Sequence, residues 1–282
     1  MTRLLEIDAE QFATSFAREP FTVRHGLTEH PLLSVESLAQ LADRVPSGSV
    51  EHNRGDVPEV LSSGEAPRED LSPGEIARGI ETNGCWMVLK HIEQDPEYKQ
   101  LLDETLDEVA PLVNDREGGM HRREGFIFLS APNSVTPSHI DPEHNFLLQV
   151  RGWKEMNVGR FGDPKAEQEL LERYYSGGHR NLEWKPEDAT TYRLDPGHGI
   201  YVPVHAPHFV RNGDSVSVSL SITWFTPSIE RDARVHALNA RLRKLGISPL
   251  APGRRAASDH AKASAAKALA AARRTVRGRR AA

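Results

Sequence analysis

The stretch TPSHIDPEHNFLLQVRGWKEM, residues 136–156, decides the fold. Apolar segments on either side of the Arg151-Gly152 turn predict two short strands of an antiparallel pair. The same stretch carries polar groups that a buried strand pair does not need, namely His139, Asp141, His144, Asn145 and Lys154. Because such groups are costly to bury without partners, the stretch predicts a polar site built into a β-sheet.

Further strands are predicted on both sides of this stretch, in the segments EGFIFLSAP, GIYVPV and SVSVSLSITWF. In the last segment, apolar residues from Val216 to Trp224 alternate with Ser and Thr. Such a strand suits a sheet with its serines in solvent or a two-sheet barrel with a polar interior. Together the segments predict a mainly β fold with flanking helices and a barrel over residues 125–227.

Residues 1–124 predict an N-terminal α/β lead-in with helices that pack on the barrel. Strands are expected in FTVRHGL and at 84–90, and a helix is expected after the N-cap Ser34. A single amphipathic helix is expected in DPEYKQLLDETLDEVAPLV, with Pro96 near its start. Residues 46–73, rich in Gly, Pro, Ser and acids, predict a long surface loop.

Two further segments flank or interrupt the predicted barrel. Residues 163–195, which are polar and Glu-rich, predict an inserted helix plus loop. Residues 228–252 predict a C-terminal helix ending at Gly246. Its stripe of Val235, Leu238, Leu242 and Leu245 suits either a homodimer interface or packing on the chain's own barrel.

Composition limits the class of protein. With 282 residues and 38% hydrophobic content, the chain predicts a soluble globular protein. The N-terminus has no long apolar segment, so we expect no signal peptide, no membrane span and a cytoplasmic location. Cys85 is the only cysteine, which excludes an internal disulfide and a Cys-rich zinc site. Any metal would need nitrogen and oxygen ligands.

Charge is unevenly distributed along the chain. From residue 254 onward, nine Lys or Arg stand against Asp259, so this segment carries +8 and the rest carries −13 of the total of −5. Residues 253–282 therefore predict a basic tail rich in Ala, Arg and Lys. The acidic remainder argues against a nucleic-acid groove, whereas the tail suits either solvent or an acidic partner such as RNA or DNA.

His139 and Asp141 are two residues apart, so both side chains point to one face of an extended strand. That pair alone is weak evidence for a metal, because about two such His-x-Asp/Glu pairs are expected by chance in this composition. His91 and Glu93 form the other pair. His205 and His208, near a later strand, each offer a third ligand. Two histidines and a carboxylate would suit ferrous iron with open coordination positions.

The stretch resembles the JmjC and cupin-like Fe(II)/2-oxoglutarate oxygenases, especially the asparaginyl hydroxylase of the hypoxia-inducible factor. That family has Thr-Pro-x-His-x-Asp, then Asn, then Gln-x-x-Gly-x-Lys. The matching positions here are Thr136, Pro137, His139, Asp141, Asn145, Gln149, Gly152 and Lys154. The family's distal histidine lies five residues after the proline of a Tyr-x-Pro strand, as His208 does after Tyr201 and Pro203.

The resemblance implies a double-stranded β-helix barrel of the jelly-roll, JmjC type, and a set of site residues. His139, Asp141 and His208 would bind Fe(II), with His205 in the pocket. Lys154 and Thr136 would bind the far carboxylate of 2-oxoglutarate, and Asn145 would donate to its iron-proximal carboxylate or to substrate. Ser221 stands closest to a cofactor-binding asparagine of the relative, and Trp86 is the nearest match to its assisting aromatic residue.

The resemblance implies a dioxygenase that uses O₂ to hydroxylate a protein side chain or small molecule and converts 2-oxoglutarate to succinate. Two other hypotheses remain open at this point. One is a metal-binding cupin without redox activity, in which Lys154 has no role. The other is a non-catalytic regulatory protein whose basic tail contacts nucleic acid. His144, which alternates away from His139, is expected to be a surface residue at a strand end.

Overall fold

The structure, a computed structural model, describes residues 3–54, 59, 71–186 and 188–281, and for Arg54 and 273–281 only the backbone. The strands of this part are β1 (Leu5–Glu6), β2 (Phe21–His25), β3 (Val50–Arg54), β4 (Cys85–Lys90), β5 (His121–Ser130), β6 (Val135–His139), β7 (His144–Arg151), β8 (Lys154–Val158), β9 (Thr190–Leu194), β10 (His198–Val202), β11 (His208–Asn212) and β12 (Ser217–Phe225). The helices are α1 (Ala9–Ser15), α2 (Val35–Arg44), α3 (Pro73–Arg78), α4 (Pro96–Asp107), α5 (Ala110–Glu117), α6 (Pro164–Tyr175), α7 (Pro227–Lys244) and α8 (Ala256–Ala281).

The described residues form two compact units, one within 1–160 and 181–225, the other within 161–180 and 226–282. The first unit contains two antiparallel sheets. The larger has eight strands in the order β1-β2-β10-β7-β12-β5-β4-β3, and the smaller has four in the order β6-β11-β8-β9. This two-sheet jelly roll with flanking helices confirms the predicted fold class. The predicted boundaries at residues 124, 227 and 252 remain predictions.

Each face of the larger sheet has its own apolar partners. Val218, Leu220 and Ile222 of β12 lie in one buried cluster with residues of α1, α2 and α4. A second cluster joins Leu147 and Ile200 of the larger sheet to residues of β8, β9 and β11 in the smaller sheet. Because Ser221 is directly opposite Leu147, the hydroxyl face of β12 points into the space between the sheets.

Several sequence predictions hold at the level of single residues. The side chain of Ser34 accepts the N–H of Ser37 and caps α2. Strand β4 and the strands of the predicted barrel form at the expected places, and Gly246 follows the C-cap of α7 with a φ of 78°. Helix caps and the alternation of apolar residues determine these positions, and both can be identified in the sequence.

Three predictions of secondary structure were wrong. The helix expected at 95–113 is two helices, α4 and α5, because Pro111 in the first turn of α5 has no N–H to continue the ladder of α4. The predicted loop at 46–73 begins with a 3₁₀ turn and strand β3, which pairs with β4. The insertion at 163–195 contains α6 but also β9, which pairs with β8 along five residues. Residues 55–58 and 60–70 of the loop lie outside the described residues.

The second unit consists of α6, α7 and α8. Arg243 of α7 donates to both carboxylate oxygens of the buried Glu172 of α6, at 2.6 and 3.1 Å. Val235 is fully buried, whereas Leu245 is 76% exposed, so the predicted apolar stripe on α7 is buried only in part. A homodimer through this helix remains a prediction.

Within the described residues, none of the helices combines the length and the apolar character that a membrane span requires.

The tight turn between β7 and β8 requires glycine. Gly152 has a φ of +66°, and a Cβ there would overlap the carbonyl oxygen of Val216. Gly84 has the same φ of +66° but open space around the Cβ position.

We expect Gly84→Ala to lower the free energy of unfolding by about 1–2 kcal/mol, which is the cost of the left-handed backbone conformation for alanine. Gly152→Ala should lower it by about 3 kcal/mol or more, because the overlap adds to that cost. Urea unfolding measures both, and equal losses would contradict the assigned clash.

Candidate metal centre

Strand pairing brings together the two histidines of the candidate site. His139 is the last residue of β6 and His208 is the first residue of β11. The two strands are antiparallel neighbours with His139 directly opposite His208. Asp141 follows two residues after His139, so all three side chains meet at one end of the smaller sheet.

The three side chains converge closely enough to hold one ion. The Nε2 atoms of His139 and His208 lie 3.7 and 3.5 Å from Oδ2 of Asp141. All three ligand atoms lie within 4.8 Å of one another, and the imidazole centroids are 4.1 Å apart. These separations are too long for direct hydrogen bonds but suit three ligands of a shared cation.

Backbone carbonyls fix the orientation of both imidazoles. Nδ1 of His139 lies 2.7 Å from the carbonyl oxygen of Pro137, and Nδ1 of His208 lies 2.8 Å from that of Ala206. A carbonyl oxygen only accepts, so each Nδ1 must carry the proton. In the neutral ring Nε2 is then the nitrogen that carries the lone pair, which is the tautomer that a metal ligand at Nε2 needs.

The geometry separates this cluster from the other candidates in the sequence. It is the one group of three or more potential ligands that converges within the described part of the chain. His91 and Glu93 form a pair at 3.4 Å, and no third potential ligand converges on them among the described residues. His205 lies outside the cluster, and its backbone N–H donates to the carbonyl oxygen of Asp141 at 2.8 Å. This arrangement supports the assignment of His208 as third ligand, with His205 shaping the loop.

Lys154, the first residue of β8, is buried inside the same unit. It is 3% exposed and lies opposite Asn212 of β11 and Leu194 of β9. Burial lowers the pKa of its ammonium group to about 7. Within the described residues, this group has neither an ion pair nor a hydrogen bond. An unpaired buried cation is costly, so the site favours an anion beside Lys154.

Thr136 and Asn145, the other predicted cofactor residues, lie on strands at either side of the ligands. Thr136 of β6 is half-buried and opposite Val210 of β11. Asn145 of β7 is buried, and its Oδ1 accepts a hydrogen bond from Ser221 of β12 at 2.8 Å. Both lie close in sequence to a candidate metal ligand, Thr136 three residues before His139 and Asn145 four residues after Asp141.

Trp86 lies on β4, opposite Ser130 of β5. Its indole N–H is buried and has no hydrogen-bond partner within the described part of the chain. Ser130 is opposite Ser217, at the end of β12 far from Thr223 and Asn145. Trp86 therefore lies in the larger sheet near the Ser217 end of β12, whereas Asn145 lies near the Thr223 end. Its contact with a cofactor remains a prediction.

His144 is not a surface residue, contrary to the sequence prediction. It is 1% exposed, and its ring stacks against Phe16 and against Trp224 at centroid distances of 4.8 and 5.2 Å. The hydroxyl of Tyr201 accepts the N–H of Ala17 at 3.2 Å and forms a hydrogen bond with Nδ1 of His144 at 2.7 Å. Burial lowers the pKa of His144 to about 3. Its alternation with the apolar Phe146 and Leu148, which share its strand face, was the sequence signal for burial.

Sequence reasoning also missed Glu59. Its backbone carbonyl accepts the N–H of Ser138, beside His139, at 2.6 Å. Its carboxylate pairs with Lys185 at 3.0 Å and with Arg211 of β11. Glu59 therefore holds the backbone of β6 next to a metal ligand. Nothing in the surrounding Gly-, Pro- and acid-rich segment distinguishes it from its neighbours.

We expect the protein to bind one equivalent of Co(II) or Mn(II) through the three converging side chains. Asp141→Ala should weaken this binding by at least about 100-fold, since it removes the only anionic ligand. Equilibrium dialysis with metal analysis measures the affinity, and Glu93→Ala, which alters the other His-x-Glu pair, is the control. Unchanged binding by Asp141→Ala would contradict the site.

Comparison with known proteins finds one matching domain model and similar solved structures. Residues 119–231 match the model of the JmjC domain. No curated protein matches the sequence. Among solved structures, the X-ray structure of E. coli ycfD has a TM-score of 0.56 and 17% identity and covers 95% of this chain and 69% of that one.

Two further structures are of YcfD, described as a ribosomal oxygenase from Escherichia coli. One is in complex with cobalt and 2-oxoglutarate, the other with cobalt and succinic acid. Each has a TM-score of 0.53 and 16% identity, covering 94% of this chain and 67% of that one. At such identities the likeness establishes the fold. Residues 119–231 are thus similar to the JmjC domain, the domain type of the Fe(II)/2-oxoglutarate oxygenases that the sequence resembles.

Proposed function

We propose that this protein is an Fe(II)/2-oxoglutarate-dependent hydroxylase. The observation that carries the proposal is the combination of two groups in one unit. Three side chains converge with one potential ligand atom each, all within 4.8 Å of one another, and a buried lysine lacks an anion among the described residues. A metal site alone would give Lys154 no role. A dicarboxylate that binds the metal at one end would need a cation such as Lys154 at its other end.

The ligand set suits ferrous iron. Two imidazole nitrogens and one carboxylate would hold ferrous iron and would leave coordination positions open for the cosubstrate and O₂. When bound, iron with 2-oxoglutarate and O₂ supplies the oxidising power that hydroxylates a C–H bond while the cosubstrate becomes succinate and CO₂. The fold of the protein contributes by positioning His139, Asp141 and His208 together at one end of the smaller sheet.

The remaining polar residues suit the dicarboxylate. We assign the far carboxylate to the ammonium of Lys154 and the hydroxyl of Thr136, since a charge-assisted hydrogen bond would offset the burial of the lysine. We assign the end nearest the metal to the amide of Asn145, which follows Asp141 by four residues. The buried setting also excludes water, which strengthens each of these interactions.

The substrate is proposed only as a class, a C–H bond of a protein side chain or a small molecule. Because the similar solved structures include one described as a ribosomal oxygenase, ribosomal proteins are the first candidates to test. A nucleic-acid contact by the basic tail remains a prediction, since it rests on the charge of residues 254–282 alone. A non-redox cupin is the weaker alternative because it leaves the buried Lys154 without a role.

Under anaerobic conditions, addition of 2-oxoglutarate to the Fe(II)-loaded protein should produce a visible charge-transfer band, and air should then yield succinate. Lys154→Met should weaken 2-oxoglutarate binding by about 10- to 100-fold, the loss of one hydrogen bond to a charged group. The matched control is Lys165→Met, which changes an exposed lysine of α6. A wild-type protein that gives neither band nor succinate would contradict the proposed function.

Binding of 2-oxoglutarate should be linked to protonation of Lys154. The pKa of about 7 in the free protein leaves the group mostly charged at pH 6 and mostly neutral at pH 8.5. A bound carboxylate raises this pKa, so binding at pH 8.5 should take up close to one proton and affinity should fall as pH rises above about 7. Calorimetry of Mn(II)-loaded protein in buffers of different ionisation enthalpy measures the uptake.

Lys154→Met is the control for other groups that titrate in this range. It should abolish the uptake at pH 8.5 and flatten the pH dependence. Equal uptake by the wild type and by Lys154→Met would show that the proton goes elsewhere.

A further inference from the structure

We infer that Ser221 is a positioning residue that turns the amide of Asn145 toward the cofactor, rather than a cofactor ligand itself. This inference rests on the proposed function and deepens it. It replaces the direct contact that the sequence resemblance implies for Ser221 with an indirect one.

The contact between the two residues is buried and specific. Oγ of Ser221 donates to Oδ1 of Asn145 at 2.8 Å, and the residues are 3% and 7% exposed. A serine hydroxyl has a single proton, so this bond uses the donor of Ser221. With its oxygen held by Ser221, the amide of Asn145 presents its NH₂ group on the opposite side.

The NH₂ group of Asn145 is available to a ligand. It makes no hydrogen bond with any described residue. Asn145 lies between Thr223 of β12 and Val202, the last residue of β10, from which the chain leads to His208. The hydroxyl of Thr223 donates to the backbone carbonyl of Glu124 at 3.1 Å. Of the opposed pair Asn145 and Thr223, only Asn145 therefore has N–H donors without a partner among the described residues.

A second amide on the same strand face shows the contrasting case. Gln149 lies four residues after Asn145 on β7, and its Oε1 accepts from Ser219 of β12 at 2.7 Å. Its Nε2 donates to Ser217 at 3.0 Å and to the carbonyl oxygen of Arg151 at 2.6 Å. Both ends of the Gln149 amide are thus satisfied within the protein, so the Ser219–Gln149 pair stabilises the sheet and offers nothing to a ligand.

In both pairs a serine hydroxyl donates to the amide oxygen, and the pairs differ in what the amide NH₂ group contacts. In the Asn145 pair the far end is the NH₂ group, which suits a carboxylate oxygen. Without the hydroxyl of Ser221, the amide can rotate and present its oxygen instead, which would repel a carboxylate. Loss of Ser221 should therefore weaken the binding of 2-oxoglutarate without altering the binding of the metal.

The test measures the dissociation constant of 2-oxoglutarate by calorimetry with Mn(II)-loaded full-length protein. Ser221→Ala should weaken binding by about three- to tenfold, the value of one neutral hydrogen bond. Ser221→Cys, which keeps the shape but is a weaker donor, should fall between Ala and the wild type. Ser219→Ala should leave the constant within about twofold, although it removes an equivalent hydrogen bond. The Mn(II) affinity should be the same in all four proteins.

A double-mutant cycle with Asn145→Ala gives a second criterion. If Ser221 acts through Asn145, adding Ser221→Ala to Asn145→Ala should cost no further affinity for 2-oxoglutarate. Additive losses would overturn the inference, as would equal effects of Ser221→Ala and Ser219→Ala. These outcomes leave the proposed function intact, whereas absence of 2-oxoglutarate binding by the wild type would contradict the proposed function and the inference together.

Discussion

The antiparallel pairing of β6 with β11 is the constraint on which the rest of the site depends. It places His139 directly opposite His208 although the two residues are far apart in the chain. Since successive side chains of a strand point to opposite faces, a slip of one residue would turn one imidazole away from the other. The same β11 also pairs with β8 and sets Asn212 opposite Lys154, so a single strand lies beside both the candidate metal ligands and the buried lysine.

The larger sheet contributes a polar face that it satisfies almost entirely from within. Gln149, Ser217 and Ser219 are joined by hydrogen bonds, and Thr223 bonds a backbone carbonyl. Such groups are costly to bury without partners, and here the neighbouring strands supply those partners. The NH₂ group of Asn145 is an exception on this face, and Lys154 of β8, in the smaller sheet, is a second buried group without a partner among the described residues. These are the two groups that a dicarboxylate would pair with.

The parts of the fold set by local chemistry could be predicted from the sequence. Alternation identified β12, Ser34 capped α2 as expected, and the spacing from Thr136 to Lys154 indicated the site. The sequence did not indicate β9, because its residues TTYRL follow a polar segment and form a strand only by pairing with β8. His144 was misjudged for a related reason. Its polarity suggested solvent, whereas stacking against Phe16 and against Trp224 of the neighbouring strand buries it.

The central claim is that a metal and a dicarboxylate share the space between this triad and Lys154. A crystal structure of the protein grown anaerobically with Mn(II) and 2-oxoglutarate tests it most directly. The account predicts one ion bound by Nε2 of His139, Nε2 of His208 and the carboxylate of Asp141, with the far carboxylate of 2-oxoglutarate bonded to Nζ of Lys154. An ion held by other residues, or a dicarboxylate bound away from Lys154, would contradict it.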